Sequence, residues 1–261
     1  MRFKITLEVV PDVFGTVLPI SYQHELSIAV ARLLQSNAEA YTSWLASNGF
    51  TPEDAQQMPL YSVSNLYVPK IYVQGDRLQI NVPRVQFWIS FFPESGTKEY
   101  LERVALGQDF ILGDQKSRVM FRVTSIDDVT PVQYQMAMDY QTLSPVVVLG
   151  VRPNKSVEYL FPQNRYFAEF MVQGLIERWE FLHCAPYMGE RRFSFQMLGP
   201  ERRKSVSTGS GSLKYQKVIG YMMKFRLKLD PQLQEVAYVG GIGDRIEQGF
   251  GYLELLDKSN K

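Results

Sequence analysis

Four glycines near the C-terminus have the spacing of a tight backbone loop. They form two Gly-x-Gly pairs separated by five residues, at Gly241, Gly243, Gly249 and Gly251. Glycine is favoured where the backbone needs a positive φ or must lie close to another group. Such a loop can turn its amide groups toward an anion, as phosphate-binding loops do. The spacing therefore predicts either a backbone site for phosphate groups or a ligand-free connector rich in turns.

The surrounding sequence does not match the familiar nucleotide-binding loops. The residues before Gly241 have a helical pattern and those after Gly251 a strand pattern, whereas a dinucleotide fingerprint follows a strand and opens a helix. No Gly-Lys-Ser/Thr follows the glycines, so the P-loop pattern is also absent. An enzyme that binds a phosphorylated ligand through this loop stays open as a minor alternative.

Positive charge is concentrated just before this loop. Between Glu190 and Leu229 ten basic residues face two acidic ones, a net charge of +8 in a chain of net charge +1, so the remaining residues sum to −7. The basic residues are Arg191, Arg192, Arg202, Arg203, Lys204, Lys214, Lys217, Lys224, Arg226 and Lys228. A basic stripe on an otherwise acidic protein is typical of a polyanion binder. Lys and Arg could contact phosphates, and Tyr215 could stack on an unpaired base, which favours RNA over the alternative of a solvated loop.

Only two histidines are available for acid–base chemistry, His24 and His183. Metal-free RNA cleavage needs a base for the 2′-OH and an acid for the leaving oxygen, and His suits both roles. His24 is a candidate at a predicted helix start, with a half-exposed helix residue as the alternative. His183 adjoins Cys184, but neighbouring residues on a helix point apart, which disfavours a Cys–His pair. No spacing of His, Asp or Glu predicts a metal site, and we expect no cofactor.

The glycine spacing, taken with segments spread along the chain, resembles the RAMP superfamily and most closely the CRISPR repeat-processing endoribonucleases, the "Cas six" family. The further matching segments are residues 1–5, 18–23, 61–66, 142–146, 220–227 and 230–233. The resemblance implies a protein that binds CRISPR repeat RNA and cuts the precursor transcript without metal, leaving a cyclic phosphate. It also implies subunits of a CRISPR effector complex as partners, or a second copy in a homodimer. A non-catalytic RNA-binding subunit of such a complex is the alternative function.

The resemblance also locates the family's general acid/base. In that family a His follows Leu in a frame that corresponds here to Ser43-Trp44-Leu45-Ala46-Ser47-Asn48-Gly49-Phe50, so Ala46 occupies the His position. A Tyr found one helix earlier in some members corresponds to Ala31. A methyl group carries no proton, so we expect binding without efficient cleavage. Either the chain is a deliberately inactivated variant, or it is a natural member that binds without cutting.

Hydrophobic periodicity predicts the elements that must position these residues. Arg2 to Val10 alternates as a half-buried strand, with helices predicted from His24 to Gln35 and from Ala38 to Ser47. Later segments repeat the pattern, which favours an α+β fold of two tandem ferredoxin-like (βαββαβ) units side by side, residues 1–132 and 133–261.

Three patterns matter most for the second unit. The Gly/Ser-rich segment 199–212 predicts a mobile loop. Residues 218–229 predict a strand with Lys224, Arg226 and Lys228 on one face. A short helix is predicted from Pro231 to Val239.

The composition of the chain bears on where the protein is located in the cell. Hydrophobic residues make up 45% of 261, enough for a substantial core. No apolar run approaches the ~20 residues of a membrane helix, and the N-terminus lacks the pattern of a signal peptide. The single cysteine excludes an internal disulfide and a cysteine-based zinc site. We therefore expect a cytoplasmic protein with no membrane partner.

Overall fold

The strand predicted at the N-terminus lies at the centre of a sheet. In a computed structural model that describes residues 1–152, 154–208 and 216–256, Arg2–Val10 pairs with one antiparallel strand on each side. Phe3, Ile5, Leu7 and Val9 are buried, and Lys4, Thr6 and Glu8 between them are more exposed. Arg2 lies on the same face as these three polar residues but is buried. The alternation in the sequence therefore corresponds to the two faces of this strand.

Sixteen strands and seven α-helices occur in the described part of the chain. In order they are β1 (Arg2–Val10), α1 (Pro11–Phe14), β2 (Val17–Pro19), α2 (Gln23–Leu34), α3 (Ala38–Ser47), α4 (Pro52–Gln57), β3 (Tyr61–Val63), β4 (Ile71–Gln74), β5 (Arg77–Ile80), β6 (Arg84–Phe91), α5 (Thr97–Ala105), β7 (Asp109–Gly113), β8 (Arg118–Asp128), β9 (Ala137–Thr142), β10 (Leu149–Val151), β11 (Val157–Tyr159), α6 (Arg165–His183), β12 (Ser194–Met197), β13 (Arg202–Thr208), β14 (Gln216–Met222), β15 (Lys224–Lys228), α7 (Pro231–Gly240) and β16 (Leu253–Leu255). A 3₁₀ turn, Ile246–Gln248, precedes β16.

The sheet orders are those of two ferredoxin-like units. The first sheet runs β3-β6-β1-β8-β7, and the second runs β12-β15-β9-β16, with antiparallel neighbours throughout. The four strands of the βαββαβ series are β1, β3, β6 and β8 in the first sheet and β9, β12, β15 and β16 in the second. In both sheets the first strand of the series lies between the third and the fourth, and the second lies on the outer side of the third. The predicted fold class is confirmed, with β7 as an added edge strand.

The chain divides into two compact units, Met1–Pro131 with Ser207–Gln216 and Val132–Val206 with Lys217–Lys261. Small sheets are inserted into the series. A three-stranded sheet, β2-β5-β4, lies in the first unit, while β10-β11 and β13-β14 form two-stranded sheets later in the chain.

Within segment 199–212, predicted as a loop, residues 202–208 instead form strand β13. Residues 202–207 are exposed and polar on both faces of the strand apart from buried Val206, so the segment lacks the alternation that identifies a half-buried strand.

None of the helices in the described ranges is both long enough and apolar enough to cross a lipid bilayer.

Candidate nucleic-acid interface

The four glycines of the C-terminal loop all adopt the left-handed region of backbone space. Gly241, Gly243, Gly249 and Gly251 have φ between 77° and 84°. At Gly243 an added Cβ would lie 2.2 Å from the Val147 carbonyl oxygen, and at Gly251 it would lie 2.1 Å from that of Ile242. Only glycine therefore fits these two positions, because conformation and space both exclude a side chain.

The amide groups of this loop are largely engaged within the protein. The Ile242 N–H donates to the Gly251 carbonyl at 2.9 Å, and the Asp244 N–H donates to the Val147 carbonyl at 2.7 Å. The Gly251 N–H donates to the Pro145 carbonyl at 2.9 Å, and the Gly249 N–H donates within its own turn at 3.0 Å. These four amides are committed to the fold, so an RNA contact by this loop would have to use its other groups. RNA binding by the four glycines stays a prediction.

Two charged side chains, one from α6 and one from the loop itself, anchor the loop through hydrogen bonds. Arg178, on α6, is buried and donates to the Gly240 and Gly241 carbonyls at 3.0 and 2.7 Å, at the end of α7. Desolvation lowers the pKa of this guanidinium to about 10, so it is charged at neutral pH. The Asp244 carboxylate accepts the Leu149 N–H at 2.7 Å, and burial raises the pKa of this carboxyl group. Sequence reasoning missed both residues, although an arginine within an apolar helix was an available signal for Arg178.

The glycine loop and the basic strands share one buried cluster. Val206 of β13 and Val218 of β14 pack with Val147 and with Phe250 of the loop. Residue 146 exchanges both backbone hydrogen bonds with Tyr221 of β14, at 2.8 and 2.9 Å, and Val147 forms a bridge to Asp244. The segment around residues 145–147 therefore lies between the basic strand pair and the glycine loop and connects them.

Most residues of the predicted basic stripe are exposed. On β15, Lys224 and Lys228 are exposed while Phe225 and Leu227 are fully buried, which confirms the predicted alternation. Exposed basic side chains also occur at Arg191, Arg192, Arg202, Arg203, Lys204 and Lys217. Lys214 and Tyr215 lie outside the described residues.

Acidic neighbours neutralise two members of this stripe. Arg226 forms a two-pronged contact with Asp139 of β9, with Nε–Oδ1 at 2.6 Å and a second N–O distance of 2.8 Å, and this contact raises the pKa of Arg226. Arg192 pairs with Glu190 at 2.8 Å. Within the described ranges no ion pair involves Arg202, Arg203, Lys204, Lys217, Lys224 or Lys228. Arg191 has no acidic partner there either, but its guanidinium donates to the Tyr187 carbonyl at 3.3 Å. The other six side chains carry the positive charge that is most available to a polyanion.

The segment that includes Ala46 is a firmly held helix end. Trp44 and Leu45 are buried, and the Trp44 indole donates to Thr97 at 3.0 Å and stacks on Tyr100 with ring centroids 4.5 Å apart. The Asn48 side chain accepts the N–H groups of residues 94 and 95 at 2.9 and 2.8 Å and donates to the Trp44 carbonyl. Ala46 lies exposed on the last turn of α3 between these anchors. A side chain at this position would therefore project into solvent from a fixed backbone.

The other predicted catalytic positions lie on α2. Ala31 is half-buried in its third turn, and His24 is half-buried at its second residue, so the predicted helix start at His24 is close to the observed one. At the end of α6 the His183 ring stacks on Trp179 with centroids 4.0 Å apart, and its Nδ1 lies 2.8 Å from the Trp179 carbonyl. Among the described residues no group of three or more His, Cys, Asp or Glu side chains is placed to hold a metal ion.

Comparison with known proteins connects this architecture to a family. Residues 129–255, which include the basic strands and the glycine loop, match the family described as CRISPR associated protein Cas6, C-terminal. Residues 129–255 therefore belong to the Cas6 family. Members of this family process CRISPR repeat RNA as endoribonucleases.

Similar proteins match nearly the whole length of this chain. A CRISPR-associated endoribonuclease-like protein of Pyrococcus horikoshii, Cas6nc, is 23% identical over 266 residues, covering 98% of this chain and 100% of its own. The structure of a Cas6-related protein from Pyrococcus furiosus has a TM-score of 0.79 at 17% identity, covering 99% of both chains. A RAMP protein described as binding different RNA substrates also has a TM-score of 0.79, at 21% identity, covering 98% of this chain and 100% of its own. Both structures share the complete tandem fold.

Proposed function

We propose that this chain binds CRISPR repeat RNA through the basic side chains of β13, β14 and β15. The observation that carries this proposal is the set of six exposed cations that lack an acidic partner in the described residues: Arg202, Arg203, Lys204, Lys217, Lys224 and Lys228. They lie on a scaffold joined to the glycine loop by the cluster of Val147, Val206, Val218 and Phe250. Cationic side chains at fixed positions contact phosphates and set the register of a nucleic acid without reading its sequence.

We further propose that position 46 decides whether the bound RNA is cut. Metal-independent cleavage proceeds by attack of a 2′-OH on the adjacent phosphorus, with loss of the 5′ oxygen. A proton must leave the attacking hydroxyl, and a proton must reach the leaving oxygen. The Ala46 methyl group can do neither, so this chain binds RNA without efficient cleavage. A chain with His at position 46 would have an imidazole on the fixed end of α3, where Asn48 and Trp44 hold the backbone.

The alternative is a subunit that binds RNA without catalysis in a CRISPR effector complex. The absence of a proton carrier at position 46 favours it. The Pyrococcus horikoshii relative is itself described as endoribonuclease-like.

One experiment separates the two functions. Labelled repeat RNA is incubated in EDTA with the unsubstituted chain, with Ala46→His and with Ala46→Gln. Glutamine has a polar side chain of similar size to histidine and no proton to exchange near neutral pH. All three proteins are expected to shift the RNA in a native gel. Only Ala46→His is expected to cut it, by about 10²-fold or more over Ala46→Gln, which is the range of general acid–base catalysis.

Each other outcome has a definite meaning. Binding by all three proteins with no cutting by Ala46→His would refute this placement of the active site and favour the non-catalytic subunit. A lack of binding by all three would refute the RNA-binding proposal itself.

A further inference from the structure

The start of α6 has an exposed aromatic surface on a helix whose other side is buried. Tyr166 and Phe170 are 39% and 41% exposed, whereas Phe167 and Met171 beside them are buried. The Tyr166 and Phe170 rings stack nearly parallel, with centroids 5.7 Å apart and an angle of 18° between their planes. Residues four apart lie on the same face of a helix, so these two rings form one aromatic surface that is open to water.

Local hydrogen bonds fix the backbone that carries this aromatic surface. Asn164 caps the helix, and its side chain accepts the Tyr166 N–H at 2.9 Å. The Asn164 N–H donates to the Phe161 carbonyl at 2.8 Å in the turn before the helix, and the Phe161 side chain is 48% exposed. Groups that are already ordered lose little conformational entropy when they bind, so rings held on such a backbone suit a binding surface.

A cation accompanies the two rings. The Arg165 guanidinium carbon lies 4.4 Å from the centroid of the Tyr166 ring, within the range of a cation–π contact. Arg165 is exposed and forms no ion pair within the part of the chain that the structure describes. Glu169 is also exposed on this helix, so the aromatic surface offers ring faces with little net charge. This combination favours unpaired bases, which stack on aromatic rings and guanidinium planes, over phosphate groups.

The aromatic surface adjoins the basic strand β13. The Gln163 amide donates to the Glu201 carboxylate at 2.8 Å, and Glu201 immediately precedes Arg202 at the start of β13. Further along β13, Val206 belongs to the buried cluster on which Tyr159 of β11 also packs. The chain between β11 and α6 therefore runs beside β13, and these contacts lie within the second compact unit.

We propose that the start of α6 is a stacking site for unpaired bases of the RNA whose phosphates contact β13. The cations of β13 hold the phosphate chain, and neighbouring nucleotides lay their bases on Tyr166 and Phe170. This inference rests on the proposed RNA binding and adds the class of nucleotide that the aromatic surface takes. The nucleotides are single-stranded, because only unpaired bases can be splayed out onto aromatic side chains. Every base has a π-face, so the site takes unpaired RNA without reading its sequence.

Replacing the two rings tests this role without breaking the helix. Alanine and leucine both favour helices, so Tyr166→Ala/Phe170→Ala and Tyr166→Leu/Phe170→Leu should keep α6 intact. The alanine variant is expected to bind single-stranded RNA at least about fivefold more weakly, the effect of one lost base stack. The leucine variant should lose nearly as much, because leucine keeps apolar bulk but has no π-face. Tyr166→Phe/Phe170→Tyr keeps both rings and should bind like the parent.

The salt dependence of binding separates this role from that of the cations. Fluorescence anisotropy at several salt concentrations should show the same slope of log K against log salt in Tyr166→Ala/Phe170→Ala as in the parent, because no phosphate contact is lost. Substitution of the β13 cations should lower this slope.

An RNA without bases identifies what the rings contact. A labelled strand of abasic riboses keeps every phosphate and removes every π-face. The parent is expected to bind it at least about fivefold more weakly than ordinary single-stranded RNA of the same length, and this ratio should shrink by a similar factor in Tyr166→Ala/Phe170→Ala. Phe14→Ala is the control, because Phe14 is 42% exposed, like Phe170, and lies in the first unit. It should keep the full ratio.

Two results would overturn the inference and leave the proposed RNA binding intact. Parental affinity in Tyr166→Ala/Phe170→Ala, with a salt slope that still falls in Arg202→Ala/Arg203→Ala/Lys204→Ala, would mean that the RNA does not reach the rings. An equal loss of affinity for the ordinary and the abasic strand would mean that the rings support the fold or bind a partner protein instead of a base. A parent that binds no RNA would refute the proposed function itself, and this inference with it.

Discussion

At the scale of single residues, the glycine loop depends on polar side chains that the surrounding fold has removed from water. Asp244 joins the loop to β10 by accepting the Leu149 N–H, and Arg178 binds the carbonyl groups at the end of α7. Neither role could be predicted from the sequence, because the partners are 95 and 62 to 63 residues away. The glycine loop itself could be predicted, because the spacing of its glycines reflects a local requirement of the backbone.

The Asp244 contact gives a prediction with a matched pair of variants. Asp244→Ala leaves the Leu149 N–H without its acceptor and is expected to lower the free energy of unfolding by about 1–2 kcal/mol. Asp244→Asn keeps an oxygen acceptor and is expected to change it by less than about 0.5 kcal/mol at pH 7. Urea unfolding followed by circular dichroism measures both, and equal losses would mean that the hydrogen bond to Leu149 is not what matters.

The same position has a pH signature. The folded-state pKa of Asp244 is raised above its ordinary value of 3.8, so the folded protein holds this proton more tightly than the unfolded chain does. The stability that the group contributes is complete below that value and is lost as the pH rises through the folded-state pKa. Asp244→Asn is therefore expected to gain stability relative to the parent between pH 4 and pH 7. A difference that is constant over this range would contradict the assignment.

Two neighbouring cations on β15 should differ in their contribution to RNA binding. Lys224 is exposed without an acidic partner in the described residues, whereas Arg226 is already neutralised by Asp139. Lys224→Ala is expected to reduce the slope of log K against log salt by about 0.7, the value for one phosphate contact on a single strand. Arg226→Ala is expected to change it less. Fluorescence anisotropy at several salt concentrations makes the comparison, and a larger effect of Arg226→Ala would show that RNA displaces Asp139.

At the scale of elements, the hydrophobic periodicity of the sequence predicts the strands and helices that depend on local sequence pattern. The alternation of β1 and of β15 and the proline start of α7 all appear in the structure where the sequence indicated. Strand β13 was missed because it is polar on both faces, and its pairing with β14 is set by hydrogen bonds and by one buried residue, Val206. The predicted strand 218–229 is divided into β14 and β15 at Met223, whose N–H donates to the Thr142 hydroxyl at 3.0 Å.

The connection between the glycine loop and strand β14 can be tested by adding one methyl group. Gly243→Ala combines a positive φ with a Cβ 2.2 Å from the Val147 carbonyl oxygen. Gly107→Ala has a similar φ of 76° and no atom within 4 Å of its Cβ. As the control, Gly107→Ala should therefore lower the free energy of unfolding only by the cost of an alanine in the left-handed conformation, about 1–2 kcal/mol. Gly243→Ala is expected to cost at least about 2 kcal/mol more, because backbone must move.

Thermal unfolding of both variants gives this difference. Equal costs would mean that the segment at Val147 moves aside freely, and the glycine loop would then not be rigidly connected to β14.

At the scale of the whole molecule, charge is separated along a chain that is nearly neutral overall. The segment from Glu190 to Leu229 has a charge of +8 against −7 for the rest. Net charge alone therefore gave no indication of a polyanion partner, while the distribution did. An RNA that touches the basic segment is attracted there and repelled elsewhere, and this restricts where it can lie.

The salt dependence of RNA binding should reveal this uneven distribution of charge. Arg202→Ala/Arg203→Ala/Lys204→Ala removes three exposed cations of β13, and if each meets a phosphate the slope of log K against log salt should fall by about 2. The control Arg84→Ala/Lys116→Ala/Arg118→Ala removes the same charge from exposed positions of the N-terminal unit. It changes the net charge equally, so a mere loss of overall attraction would weaken both triples alike. We expect the β13 triple to lose at least tenfold in affinity at moderate salt and the control to lose less than threefold, because released counterions come only from phosphates that are contacted. An equal loss of affinity in both triple variants would mean that the RNA binds elsewhere, or that only the net charge of the protein attracts it.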